Sequence, residues 1–340
     1  MASGKGTGPD HLTHLAQLTG NPQSFHIFHA LRVIEAAHPA SPRLGESRRP
    51  SQDRVRLGQE AELAFPPSTI AAFEPPTDAN PGSLTNRFFG FFGPNGPLPL
   101  HMTEYARDRQ RNHRDPTFVA FANMLTHRFM GLLYRAWTSA QPAPSFDRPA
   151  NDPVQRKIAA ISGHVGKGLA ERDAMPDLAK RYFAGHLAVG AKNAEGLVAV
   201  LSAFFRVPVH LRQFVGSWLE LEPDDRWQLG GRAGLGRATS IGQKVWSRSA
   251  KFRVMIGPLT LADYQRLLPG SDSLARVEAI VRNYIGDTLD WDVNLILKSE
   301  EVPRARLGAD TQLGQTSWIG RRLEKGDAGD LCVVPRSRLG

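Results

Sequence analysis

Apolar residues along this chain fall into patterns that change character three times. After Ser24, a candidate cap, Phe25, Phe28, Leu31 and Ile34 recur at three- and four-residue steps, which predicts a short amphipathic helix. The residues before it, 1–24, are Gly-rich and polar at the outset and read as a mobile N-terminus. From Pro39 to Pro99 prolines interrupt every apolar run, such as Val55 to Leu57, Leu63 to Phe65 and Phe88 to Phe92. Long helices are excluded there, and extended segments lying over another surface are expected. Asp115 and Pro116 then form a start signal for a helix from Thr117 to about Trp137. Its apolar face, Phe118, Phe121, Ala122, Leu125, Phe129, Leu132, Leu133 and Ala136, holds the helical period over about five turns. The Pro/Ala/Ser segment Gln141 to Pro149 reads as a linker, and Asp152 with Pro153 starts a further helix that Gly163 closes. A domain boundary is placed near residue 150.

The second half carries an internal repeat. Leu235, Gly236, Ile241, Gly242, Gln243 and Trp246 recur, at one constant offset, as Leu307, Gly308, Leu313, Gly314, Gln315 and Trp318. Each copy has an apolar helix and an alternating strand before the motif and a second strand after it. The helices carry Leu197, Val198, Leu201, Phe204 and Phe205, then Leu274, Val277, Val281, Tyr284 and Ile285. The first strands are Val207, Val209 and Leu211, then Leu289 through Leu297; the second are Phe252, Val254 and Ile256, then Leu331 to Val334. The fold class expected is α+β: a Pro-rich, partly helical region over 25–150 with one long amphipathic helix, then a domain over 151–340. That domain is built from duplicated helix/strand/loop/strand units, about 194–257 and 271–335, related by a pseudo-twofold and joined by a short helix capped at Thr260.

Composition narrows the function classes. A chain of 340 residues with 41% apolar content can bury a sizeable core, so a disordered tail is excluded. Its longest mainly apolar run, Leu197 to Phe205, is about half of the roughly 20 residues a membrane span needs. No charged leader precedes a hydrophobic block at the start, so a soluble cytoplasmic chain is expected. The single Cys332 leaves no thiol cluster for zinc and no internal disulfide. The net charge of +9 is carried mainly by arginine, which suits nucleic acid, anionic lipid or an acidic protein surface. The arginines are interspersed with acids, as from Arg107 to Asp115, so a solvated surface with partner salt bridges is favoured over an arginine-rich nucleic-acid-binding protein, which stays as the alternative.

Residues that suggest chemistry do not compose an active site. The glycines Gly231, Gly234 and Gly236 lead toward a strand, whereas a phosphate-cradling loop opens a helix. Gly163 to Gly168 resembles part of a P-loop but has no Ser or Thr after Lys167. The pairs His11/His14 and His26/His29 have helical spacing without a third ligand. No catalytic, cofactor or metal residue is assigned. The four phenylalanines between Phe88 and Phe92 must be covered, either in a core hairpin or against a permanent partner.

The runs FFGPNGPLPLHMTEYARDR, DPTFVAFANMLTHRFMGLLYRAW and IGPLTLADYQRLLPG, in this order and spacing, resemble the TssG family of type VI secretion baseplate subunits. FHIFHALRVIE followed by VRLGQEAELAFPPSTI is similar to that family's start. The resemblance implies a non-enzymatic scaffold without a cofactor. One copy joins two copies of TssF into a wedge, which also engages TssE and two TssK trimers; TssK tethers the wedges to the inner-membrane complex. Because the apolar stripe of the Thr117 helix is broad and its half offers only one other clear amphipathic helix to cover it, Phe118, Phe121, Leu125, Phe129 and Leu132 are candidate contacts for helices of another chain. The duplication, with the two TssK trimers the resemblance implies, makes the two tryptophan motifs candidate docking loops for two copies of one partner. The alternative for the motifs is that their glycines shape turns and their tryptophans fill the core of each repeat. The Gly/Ala/Ser-rich N-terminus and the Arg-rich stretch Arg43 to Arg56 depart from the resemblance, and it implies no contacts for them.

Overall fold

The computed structural model describes residues 11–77, 80–149, 152–227, 240, 242–305, 312–318 and 326–335. The chain divides into two compact units, meeting in sequence between Gln155 and Arg156.

The N-terminal unit contains α1 (His11–Gly20), α2 (Ile27–Ala37), β1 (Val55–Gln59), β2 (Ile70–Glu74), β3 (Gly82–Asn86), α3 (Leu100–Asn112), α4 (Thr117–Ser139) and α5 (Pro142–Phe146). The strands form one sheet in the order β1-β3-β2, with β1 parallel and β2 antiparallel to β3. Alternate positions Val55, Leu57, Ile70, Phe73 and Leu84 face a core shared with Ile27, Leu31 and Ile34 of α2 and Met130 and Tyr134 of α4. The Pro-rich stretch thus supplies a small sheet that packs on the helices of its own unit. Short strands tolerate flanking prolines because ladder hydrogen bonds are needed only between them.

Helix α2 starts later than the Ser24 signal implies. Ser24 lies in a 3-10 turn and its hydroxyl donates to the Asn21 carbonyl, while the Ile27 amide donates to the Thr69 hydroxyl at 3.0 Å. A distant side chain thus supplies the acceptor that a local cap was expected to give. Nor is Gln141 to Pro149 a linker. Its residues form α5, Pro144 and Ser145 are buried, and Asp147 accepts two hydrogen bonds from Arg32, at 2.5 and 2.9 Å. Low apolar content misled the composition reading, because charge pairing ties this segment down.

Helix α4 shields the open edge of β1. The Leu57 amide donates to His127 Nδ1 at 3.1 Å and the Gln59 amide to Asn123 Oδ1 at 2.8 Å, so side chains of the helix complete a strand edge that would otherwise invite another strand. His127 Nε2 in turn meets Asp53 at 3.1 Å. His127→Ala is expected to destabilise this unit by about 2 kcal/mol through the orphaned Leu57 amide, measured as a lowered unfolding midpoint.

Helix α6 (Pro153–Ile161) opens where Asp152 accepts from the Val154 and Gln155 amides, as the Asp-Pro signal implies. The C-terminal unit continues with α7 (Asp177–Tyr182), α8 (Ala184–Ala188), α9 (Ala194–Phe205), β4 (Val209–Arg212), β5 (Ser217–Glu220), β6 (Lys244–Ser247), β7 (Lys251–Leu259), α10 (Leu261–Arg266), α11 (Asp272–Ile285), β8 (Asp290–Leu297) and β9 (Ala328–Val333). Thr260 caps α10 by accepting from the Asp263 amide at 3.2 Å. One sheet runs β4-β7-β8-β9, its central pair parallel and its outer pairs antiparallel; β5 and β6 form a separate antiparallel ribbon. The core joins Leu197, Val200 and Leu201 of α9 with Val277, Ile280 and Val281 of α11 and Val254, Ile256, Val293 and Leu295 of the sheet.

The helix, strand, loop, strand order occurs twice, as α9-β4-β7 and α11-β8-β9, but no twofold axis relates the copies. Corresponding strands β4 and β8 stand first and third in the sheet and run in opposite directions, whereas a twofold would exchange them within a symmetric order.

At the sheet centre Asp292 on β8 is gripped by Lys251 at 2.8 Å and Arg253 at 2.6 Å on β7. Burial pushes its carboxyl up, but hydrogen bonds from Arg253 and Lys251 outweigh that and hold it below its ordinary value. A carboxyl depressed in the folded state contributes stability above its unfolded pKa, and that contribution is lost as pH falls through the folded one. Asp292→Asn is expected to cost about 2 kcal/mol at neutral pH, with the gap to wild type closing on acidification below the usual carboxylate range; thermal unfolding against pH reads both.

Candidate interaction surfaces

The face of α4 that the period picks out is not the face that fills the core. Val119, Ala122, Thr126, Met130, Gly131 and Tyr134 are buried, while Phe121 (60% exposed), Met124 (62%), Leu125 (40%), Phe129 (50%) and Leu132 (42%) stay open. The inward side is only partly apolar, because Asn123 and His127 are spent on the β1 edge. The outward side is a continuous stripe at helical spacing, with Met124 as a member the sequence reading omitted. At about 200 Å² for a full side chain, the five expose on the order of 500 Å², toward the upper end of the range for the largest apolar patch on an ordinary monomer, which is often a contact site. Burying it would give about 13 kcal/mol gross, against an association cost of roughly 4 to 15 kcal/mol. Phe118 differs from its companions: it is half-buried against Phe92 and Tyr105.

The phenylalanine segment is covered mainly by its own unit, in a loop rather than a hairpin. Gln59 holds it from below, accepting from the Phe92 amide at 2.8 Å and donating to the Phe92 carbonyl at 2.7 Å. Asn86 accepts from the amides of Phe88 and Phe89. Phe92 is buried, and Phe91 meets Phe129 edge-on; Phe88 keeps 47% exposure.

Arginines Arg107 and Arg111 both pair with Glu62, and Arg109 pairs with Asp115 at 2.6 Å. Hydrogen bonds from Thr117 and Arg109 hold the Asp115 carboxyl well below the usual range. The charge-rich run from Arg107 to Asp115 is thus largely neutralised within the unit.

The two tryptophan motifs have unlike surroundings. Trp246 lies on β6, 52% exposed, opposite Trp218 of β5, which is 64% exposed; the rings meet edge-on at 5.3 Å. A Cβ on Gly216 would clash with the Trp246 ring, so glycine is what lets the indole lie across the ribbon. Phe214, 69% exposed, precedes the same ribbon. Trp318, by contrast, is half-buried against the C-terminal core, 6.1 Å from the Tyr264 ring, and its indole N–H donates to Asp330. In this copy Leu313 is the outward residue, 89% exposed on a turn. Gly242 (φ 99°) and Gly314 (φ 74°) both adopt the left-handed conformation that favours glycine. The Gln243 carbonyl accepts from the Leu221 amide, and the Gln315 carbonyl from the Tyr264 hydroxyl. Leu235, Gly236, Ile241, Leu307 and Gly308 lie outside the described residues, as does the run Gly231 to Gly236. Trp218 and Phe214 escaped the sequence reading because no repeat marks them; the alternation Ser217-Trp218-Leu219 was the available signal.

Among the described residues no group of three His, Cys, Asp or Glu could hold a metal ion, and no helix is long and apolar enough to cross a membrane.

A chain that leaves five large apolar side chains open along one helix has the surface of an assembly subunit. The family described as Type VI secretion, TssG, matches residues 21–320, and the chain belongs to that family. Among solved structures, a chain of the baseplate complex from the type VI secretion system shares the fold with a TM-score of 0.63 at 20% identity, over 95% of this chain and 94% of that one. A chain of the type VI secretion TssK-TssF-TssG baseplate subcomplex, seen by cryo-electron microscopy, aligns with a TM-score of 0.52 at 17% identity, over 61% of this chain and 88% of that one. No curated protein matches.

Proposed function

We propose that this chain is a non-enzymatic structural adaptor of the type VI secretion baseplate wedge, joining two copies of TssF and docking two TssK trimers, with TssE, so that sheath and spike assemble on the ring. It acts in the cytoplasm, reaches the inner-membrane complex only through its partners, and uses no cofactor. The observation that carries this reading is the outward stripe of α4, which a TssF helix would cover. The TssK-TssF-TssG subcomplex among its fold neighbours supports the choice of partners. The ribbon with Trp218 and Trp246, and the turn at Leu313, are the two places where TssK would dock.

Co-expression tests it. With TssF the chain is expected in a soluble complex of fixed stoichiometry, and without TssF it is expected to be poorly soluble. A monodisperse monomer that ignores TssF would overturn the reading. The purified complex is also expected to carry no nucleic acid absorbing at about 260 nm, since Arg107, Arg109 and Arg111 are paired internally; salt-sensitive DNA retention would favour the nucleic-acid alternative.

A further inference from the structure

The stripe on α4 has a charged border. Arg48, Arg49, Arg56 and Arg128 line a groove of about 570 Å³ between the segment entering β1 and α4, and Met124 lines it too. Met124 and Arg128 thus belong both to the groove and to the outer side of the helix. All four arginines are exposed, and Arg128 reaches only the Ser47 carbonyl, at 3.4 Å. Elsewhere in this unit Arg32, Arg87, Arg107, Arg109, Arg111 and Arg148 each have a carboxylate within reach. Among the described residues the four groove arginines have none. The one acid lining the groove, Asp53, is engaged by His127. Arg54, bonded to the Ser41 hydroxyl, and Arg114 also have no carboxylate within reach, but neither lines the groove, so four of the unit's unpaired guanidinium groups lie together along one side of an apolar stripe.

We infer that this groove receives the acidic flank of a partner helix whose apolar side covers Phe121, Met124, Leu125, Phe129 and Leu132. The inference rests on the reading of the α4 stripe as a docking face and adds the chemistry of its occupant. A wholly apolar helix laid there would desolvate the arginines without compensation, which is costly. A nucleic acid would satisfy the guanidinium groups but leave the stripe wet. An amphipathic helix with Asp or Glu beside its apolar positions satisfies both, each guanidinium offering a paired donor geometry to a carboxylate. Because the charge lies on one side only, it also fixes the direction in which the helix is laid down, the usual contribution of charge to an interface.

The test uses the full chain co-expressed with TssF and TssK. Arg48→Glu, Arg49→Glu, Arg56→Glu and Arg128→Glu are combined in one variant, with the matching Gln set to separate lost attraction from introduced repulsion. The charge-reversed variant is expected to lower recovery of the complex about tenfold or more at physiological salt, and the Gln set to lower it less. In a third variant the same arginines become Lys, and zero-length carbodiimide coupling joins them to whatever carboxylates lie against them. Couplings to Asp or Glu at three- and four-residue spacing beside an apolar stripe of the partner support the inference. If Leu125→Asp abolishes recovery while the charge-reversed variant behaves as wild type, the acidic flank is refuted and the docking face stands. If Leu125→Asp leaves recovery intact, the docking face fails and this inference with it. Salt-sensitive binding of a short DNA duplex that the charge-reversed variant loses, with recovery of the complex unchanged, would make the groove a phosphate site and overturn it as well.

Discussion

Leu125→Asp is expected to abolish recovery of TssF in a pull-down while leaving the chain's own fold intact. Leu125 sits at the centre of the outward stripe of α4 and is 40% exposed, so a carboxylate there stays hydrated in the free chain and costs less than about 1 kcal/mol of stability. In the assembled state the same carboxylate would be enclosed among Phe121, Phe129 and the covering helix with no partner, and an unpaired buried charge costs several kcal/mol. Since the stripe's gross gain of about 13 kcal/mol is of the same order as the roughly 4 to 15 kcal/mol cost of association, that penalty removes the interaction. Met130→Asp, five residues on but facing inward and fully buried, makes the contrast. It is expected to unfold the N-terminal unit outright, visible as lost cooperative melting. Equal behaviour of the two variants would mean that α4 has no outward face.

The two motif tryptophans are expected to part company when truncated. Trp318→Ala removes a half-buried side chain packed against Tyr264 and the C-terminal core, which should cost about 2 to 3 kcal/mol and lower the melting temperature of the C-terminal unit. Trp246→Ala truncates a half-exposed ring that meets Trp218 across a ribbon open to solvent, and is expected to change stability by less than about 0.5 kcal/mol. Its expected effect is on assembly: one of the two TssK trimers lost, with TssF still bound. Leu313→Asp, not Trp318→Ala, is then the variant that should remove the other trimer without unfolding the chain. Stability unchanged in Trp318→Ala, read by thermal unfolding, would place that indole in an interface instead.

These contrasts mark where the sequence was legible. Strand and helix positions in the C-terminal unit follow from alternation and period because Val254, Ile256, Val293 and Leu295 are apolar for one reason, burial in a single core. The cap at Thr260 and the Asp152-Pro153 start were equally readable, since both act through neighbouring amides. Helix α4 was readable as a helix, yet its period could not say which side faces home. Its inward face carries Thr126, which bonds back to the Ala122 carbonyl, and Asn123 and His127, whose role is to meet a strand edge far away in sequence, and that contact leaves no local pattern. The same limit explains Ser24 and the segment Gln141 to Pro149, where Thr69 and Arg32 supply partners from a distance. The repeat gave true correspondences of residue type, but identical letters were set in different surroundings: Trp246 lies on a ribbon, Trp318 against a core.

The claim on which the account turns is that α4 shows one side to its own unit and the other to a partner, and methionine oxidation reads both sides at once. Met124 is 62% exposed in the stripe, and Met130 is fully buried on the same helix. With dilute peroxide, followed residue by residue by mass spectrometry, the free chain is expected to oxidise at Met124 and resist at Met130. In the complex with TssF, Met124 is expected to become as resistant as Met130. Met124 oxidising at the same rate free and in the complex would contradict the claim that this face of α4 is where the partner docks.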